Sequence, residues 1–195
     1  MVRKIRKAAV IGSGVMGGGI AALLASAGIK TLMLDIVPFD LTEEEKKDPK
    51  ARNRMVKAGY DNLLTIQPAL LMQKKDIGLI SIGNLEDDFD QLADCDWIVE
   101  VVVENLKVKQ DLFARIDKVR KAGTVVSSNT SGLSIAGMTE GRSDDFKKHV
   151  LVTPFFNPVR YMKLLELVAG EETDPEIMDF FADFGRFRLG KGIVY

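Results

Sequence analysis

The chain has 195 residues, 46% hydrophobic and 28% charged, a mixture that suits an ordinary globular protein able to bury its core without covalent staples. With 27 basic against 28 acidic side chains, it offers no broad positive field to nucleic acid or to an anionic membrane surface. Its lone cysteine, Cys95, excludes an internal disulfide and points to a reducing, cytoplasmic setting.

The basic start MVRKIRK and the apolar run behind it have the outline of a secretory signal. Glycines interrupt that run, however, and a strand, a turn and a helix account for every one of them. No window reaches the ~20 unbroken apolar residues of a membrane span.

Taken in order, Lys7 to Ile11 reads as a buried strand ending at glycines. Met16, Ile20, Leu23, Leu24 and Ala27 share one helical face over Val15 to Ala27, and Gly28 closes that helix. Lys30 to Asp35 predicts a second strand. From Leu41 to Leu71 the pattern is charged and helical, with capping-box spacing between Thr42 and Glu45 and a helix start at Asp48-Pro49. Lys57, Lys74 and Lys75 fit solvated surface lysines. Leu79 to Ile82 is a short strand, and the β-branched run Trp97 to Val103 a strong one.

Val108, Leu112, Ile116 and Val119 mark the next helix, stopped by Gly123, and Thr124 to Ser128 is another strand. Val150 to Thr153 and Met162 to Val168 form a hairpin. Asp174-Pro175-Glu176 opens a last helix, Gly190 ends it, and GIVY begins one more strand. The alternation predicts a Rossmann-type α/β fold. Its sheet is largely parallel, with helices on both faces and a C-terminal hairpin and helix extension.

VIGSGVMGGG holds Gly12-x-Gly14-x-x-Gly17, after a strand, at the start of a helix, and followed by Asp35 at the tip of the next strand. That context makes a dinucleotide site of Gly12, Ser13, Gly14, Val15, Met16, Gly17 and Asp35. Gly12 makes the turn, Gly14 lets a pyrophosphate approach, and Gly17 lets helix and strand pack. Asp35 accepts from the adenine ribose and repels a 2′-phosphate, so the cofactor expected is NAD rather than NADP.

VVVENLKVKQDLF, SNTSGLSI and FFNPVRYMKLLEL, with the glycine turn, resemble the NAD-binding domain of L-3-hydroxyacyl-CoA dehydrogenases. The resemblance runs from about Lys4 to Tyr195, is weakest between Leu41 and Leu79, and is particularly close to the dehydrogenase part of long bacterial β-oxidation proteins. It implies that Glu104 and Lys109 line the nicotinamide half of the NAD site. It puts Ser131 between cofactor and acyl-CoA, Asn157 at the nicotinamide end, and Glu166 in a His–Glu catalytic pair. A helix start is the ordinary reading of Glu104 and Asn105, a solvated lysine that of Lys109 and a turn residue that of Ser131, and their joint spacing outweighs these. No metal site is read from the sequence. The resemblance also implies that residues 1–195 are the whole NAD-binding domain, and that the family's helical C-terminal domain, its usual dimer contact, lies outside this chain.

The family's base is a histidine immediately before FFNP, and here that slot is Pro154. A hairpin reversing around Arg160 pairs positions that total 320, which sets 154 opposite Glu166. Proline offers neither a titratable group nor an N–H. His149, the single histidine, lies five residues earlier, roughly 16 Å along a strand and on the other face. The expectation is therefore an NAD-binding domain with impaired 3-hydroxyacyl-CoA oxidation. The alternative is a non-catalytic dinucleotide-binding sensor or structural relative.

Overall fold

The computed structural model describes residues 3–195; residues 1 and 2, which begin the basic leader stretch, lie outside them. Strands β1 (Lys7–Ile11), β2 (Lys30–Asp35), β3 (Ile80–Asn84), β4 (Trp97–Glu100), β5 (Val125–Ser128) and β6 (Val150–Val152) run parallel in the order β3-β2-β1-β4-β5-β6. Strand β7 (Leu164–Glu166) leaves this sheet, and β8 (Val168–Ala169) returns to close its edge antiparallel to β6. The order reverses where β1 lies between β2 and β4, which opens a crevice at the carboxyl ends of the strands.

Burial on both faces explains the unbroken apolar strands: Ala8 to Ile11 of β1 have no exposed surface. One face packs on α1 (Val15–Ser26) and α7 (Pro175–Phe187), where Trp97 meets Phe181 edge-on at 4.9 Å between ring centres. The other packs on α4 (Leu106–Val119), α5 (Ile135–Met138) and α6 (Asp144–Lys148) through Phe113, Met138 and Phe146. Among the described residues, no helix is long and apolar enough to cross a membrane.

Several expected elements take a different form. The stretch from Leu41 to Leu71 is broken into a 3-10 turn at Glu45–Lys47, α2 (Pro49–Arg52) and α3 (Arg54–Asn62). The Thr42–Glu45 capping box forms, at 2.8 and 3.2 Å. Pro49 then ends one turn and starts the next, because it lacks the N–H needed to continue. The strand from Trp97 stops at Glu100, whose own side chain captures the Val102 N–H at 2.7 Å and turns the chain out of the sheet. The stretch from Met162 to Val168 is two strands: β7 pairs in parallel with β9 (Gly192–Val194), the GIVY strand, as a separate sheet. The hairpin register is the one expected, with Leu151 opposite Ala169, Val152 opposite Val168 and Phe155 opposite Leu165, each pair totalling 320.

Arg120 fastens α4 to α6. Its buried guanidinium lies 2.7 Å from Asp145 and donates to the Thr124 carbonyl at 3.2 Å. Burial alone would raise the Asp145 pKa, but the Arg120 hydrogen bond and the Gly123 N–H outweigh it and hold the carboxyl below its ordinary 3.8. A depressed folded-state value stabilises the fold above the ordinary value, and that contribution disappears as pH falls through the lower one. Asp145→Asn is accordingly expected to lower the melting temperature at pH 7, and to lower it less at pH about 3. Equal losses at both pH values, followed by circular dichroism, would refute this.

Candidate functional site

The crevice at the strand ends is built first by the glycine turn. Gly12 has φ +109, and a Cβ there would stand 2.5 Å from the Val101 carbonyl oxygen. At Gly17 a Cβ would fall 1.8 Å from the Gly12 carbonyl oxygen, so the helix can lie on the turn only because no side chain intervenes. Gly14 is different: nothing lies within 4 Å of its missing Cβ. It is the N-cap of α1 and carries no side-chain cap, so the first-turn N–H groups and the positive helix end face open space. A diphosphate is the kind of group that fits there. Helix α3 presses on the same turn at Gly59, whose missing Cβ would lie 2.4 Å from the Ser13 carbonyl oxygen.

Asp35 binds this turn as well as closing β2. It accepts from the Ser13 N–H at 2.8 Å, the Ser13 hydroxyl at 2.5 Å and the Ile36 N–H at 2.7 Å. Beside it runs a groove of about 560 Å³, lined by Gly12 to Gly14 and walled by Ile36, Val103 and Val108. A carboxylate at one edge and apolar walls opposite suit a flat ring joined to a hydroxylated sugar.

On the other side of the switch point, a groove of about 410 Å³ is lined by Gly14 to Gly17, Val101 to Glu104, Lys109, Asn129 and Thr130. Lys109, only 1% exposed, is not a solvated lysine. It donates to both oxygens of the fully buried Glu100 at 2.7 and 2.9 Å and approaches Glu104 at 3.4 Å. Glu104 also accepts from the Thr130 hydroxyl. Burial pushes its pKa up, but Thr130 and the Lys109 ammonium more than offset this and keep it ionised, below the ordinary value. Asn105, the next residue, caps α4 by accepting from Val108 N–H at 3.1 Å, so the helix start expected at Glu104 and Asn105 forms there. Glu100 was not anticipated from the sequence, although an acid closing the buried run WIVE was a usable signal.

A third hollow, of about 320 Å³, brings Ser131, Pro154 and Glu166 together with Ser134 and Glu171. Pro154 is buried, Glu166 half-buried and Ser131 exposed on its turn. The Phe155 N–H donates to the Asn129 side chain at 2.8 Å, which fixes the backbone beside Pro154. Asn157 stands exposed in the hairpin turn and lines none of the three spaces. His149 caps the C-terminus of α6, its Nδ1 2.7 Å from the Asp145 carbonyl oxygen, at the end of β6 remote from Pro154.

Residues 7–195 match the family model described as "3-hydroxyacyl-CoA dehydrogenase, NAD binding domain". A "Probable 3-hydroxyacyl-CoA dehydrogenase" of Bacillus subtilis is 55% identical over 200 residues, covering 100% of this chain and 25% of that protein. One of the same description from Deinococcus radiodurans is 46% identical, covering 98% of this chain and 53% of its own length. The chain therefore spans a quarter to about half of these curated relatives. Among solved structures, a 3-hydroxybutyryl-CoA dehydrogenase from Escherichia coli superposes with a TM-score of 0.77 at 28% identity, over 98% of this chain and 38% of that one.

Proposed function

This chain belongs to the 3-hydroxyacyl-CoA dehydrogenase family as its NAD-binding domain, and from that premise we propose how its carboxyl-edge spaces are used. The adenosine half of NAD lies against Asp35, the diphosphate over Gly14, and the nicotinamide half in the groove of Glu104 and Lys109. Acyl-CoA approaches the hollow between Ser131 and Glu166. The observation that carries this reading is the side-chain-free gap at Gly14 above an uncapped helix N-terminus, with a groove on either side.

NAD, when bound, takes up hydride from the 3-carbon of the acyl-CoA. The chain's residues supply the rest. Gly12, Ser13 and Gly17 shape the turn, and Val15 and Met16 present first-turn N–H groups. Asp35 accepts from the ribose hydroxyls. Ser131 offers its hydroxyl to the reacting oxygen, and Asn157 is available to the nicotinamide end. Glu166 faces position 154 across the hairpin, where a base would gain orientation and charge stabilisation. Pro154 accepts no proton, so we assign this chain slow oxidation of 3-hydroxyacyl-CoA, the dehydrogenase step of fatty-acid β-oxidation. The same reading assigns it to a cytoplasmic protein whose helical second domain closes over the acyl chain and forms a dimer contact. Pro154 also favours a second reading, a non-catalytic dinucleotide-binding protein.

Calorimetric titration tests the cofactor assignment. NAD is expected to bind at least about tenfold more tightly than NADP, because Asp35 opposes a 2′-phosphate. Equal affinity for the two, or no heat with NAD, would overturn it.

A further inference from the structure

Glu100 ends β4 inside the fold and has no exposed surface. Its carboxylate accepts from Lys109 at 2.7 and 2.9 Å, the Ser128 hydroxyl at 2.5 Å and the Val102 N–H at 2.7 Å. Lys109 also reaches Glu104 at 3.4 Å. The array thus holds two carboxylates and one ammonium, a net charge of −1. Lys109 and Glu104 line the groove, Glu100 pairs with Lys109 from the fold's interior, and among the described residues no other charged side chain lines it. Burying an ion pair gives little net stability relative to apolar residues of the same shape. Glu104 alone would neutralise Lys109, so what Glu100 adds is the surplus negative charge.

We propose that Glu100 is a specificity-determining residue of the cofactor groove: acting through Lys109, it leaves one net negative charge beneath the nicotinamide and so selects the oxidised cofactor over the reduced one. The inference rests on the NAD reading above. The two cofactor forms differ at the ring by one positive charge, carried by the oxidised form. Attraction to a charge fixed on a fully buried carboxylate is screened less by salt than attraction between exposed groups. The groove would therefore load the oxidised cofactor and release the reduced one, as alcohol oxidation requires.

The test compares dissociation constants for NAD+, NADH and ADP-ribose, which lacks the ring, in the wild-type chain and two variants. Glu100→Gln takes the array to net zero. It is expected to weaken NAD+ binding on the order of three- to tenfold while NADH and ADP-ribose change by about twofold or less. The double variant E100Q/K109M leaves Glu104 as the only charge, so the net charge is again −1 and the wild-type NAD+ to NADH ratio should return. A purely structural role would lower all three ligands together and would not be rescued by removing a second buried partner. Parallel losses in E100Q, or a double variant whose ratio stays at least about threefold from wild type, overturn the inference. If E100Q does not fold, the ratio in the double variant decides in the same way. A wild-type chain that binds none of the three overturns the cofactor reading and this inference with it. Normal wild-type binding with parallel losses overturns this inference alone.

Discussion

Replacing Pro154 with histidine, in a polypeptide carrying this chain together with the family's second domain, is expected to raise reduction of acetoacetyl-CoA by NADH about 10²–10⁴-fold. The register makes this more than a motif repair. Phe155 pairs with Leu165 and Val152 with Val168, so position 154 faces Glu166 directly, and both line the hollow that holds Ser131. An imidazole there has a carboxylate opposite it, and an opposite charge favours the protonated form, raising the pKa above its ordinary ~6.5. The restored rate should therefore carry a pH limb above that value, which Pro154→Ala, the matched control for losing the ring, should lack. A histidine variant no faster than the alanine control would remove the hollow from the chemistry and leave the binding reading in its place.

The second large effect separates two glycines three positions apart. Gly17→Ala puts a methyl 1.8 Å from the Gly12 carbonyl oxygen, a clash of backbone against backbone that no rotamer relieves. Such overpacking is expected to cost on the order of 3 kcal/mol or more. In a chain of this length that is a fall of roughly 6–12 °C in melting temperature. Gly14→Ala meets nothing within 4 Å, and its backbone, at φ −65 and ψ −169, accepts an alanine. Its melting temperature should stay within about 3 °C of wild type, the small loss reflecting alanine's poorer capping. NAD affinity should nevertheless fall at least about tenfold, because the methyl occupies the space left for the diphosphate. Thermal melts and titrations on both variants check this. A Gly14→Ala chain that binds NAD normally would show that the gap is not where the phosphates lie.

Much of this was legible in the sequence, and what was not has definite causes. The glycine turn, Asp35 and the parallel core were readable because each rests on local period and spacing. Ile11, Gly12 and Gly17 all serve one strand-to-helix turn. The hairpin register followed from taking Arg160 as the point of reversal. What the sequence left open were choices made by distant partners. Val101 to Val103 have every preference of a strand, yet leave the sheet because Glu100 captures the Val102 N–H. Leu164 to Ala169 divides between two sheets because β9, almost thirty residues later, competes with β6 for partners. Lys109 read as a solvated lysine when taken alone, since its burial depends on Glu100 from a different element. Glu100 escaped notice for the same reason. Asn157 carries a strong motif, yet stands in an exposed turn that fixes none of its contacts.

The contact between Gly59 and Ser13 bears on how the stretch between Leu41 and Leu79 can be altered. Helix α3 touches the cofactor turn where its glycine meets the Ser13 backbone and the Met55 carbonyl accepts, at 3.4 Å, from the Ser13 hydroxyl. Position 59 admits nothing larger than hydrogen. A single methyl placed there would act as a wedge, prying the turn away from Asp35.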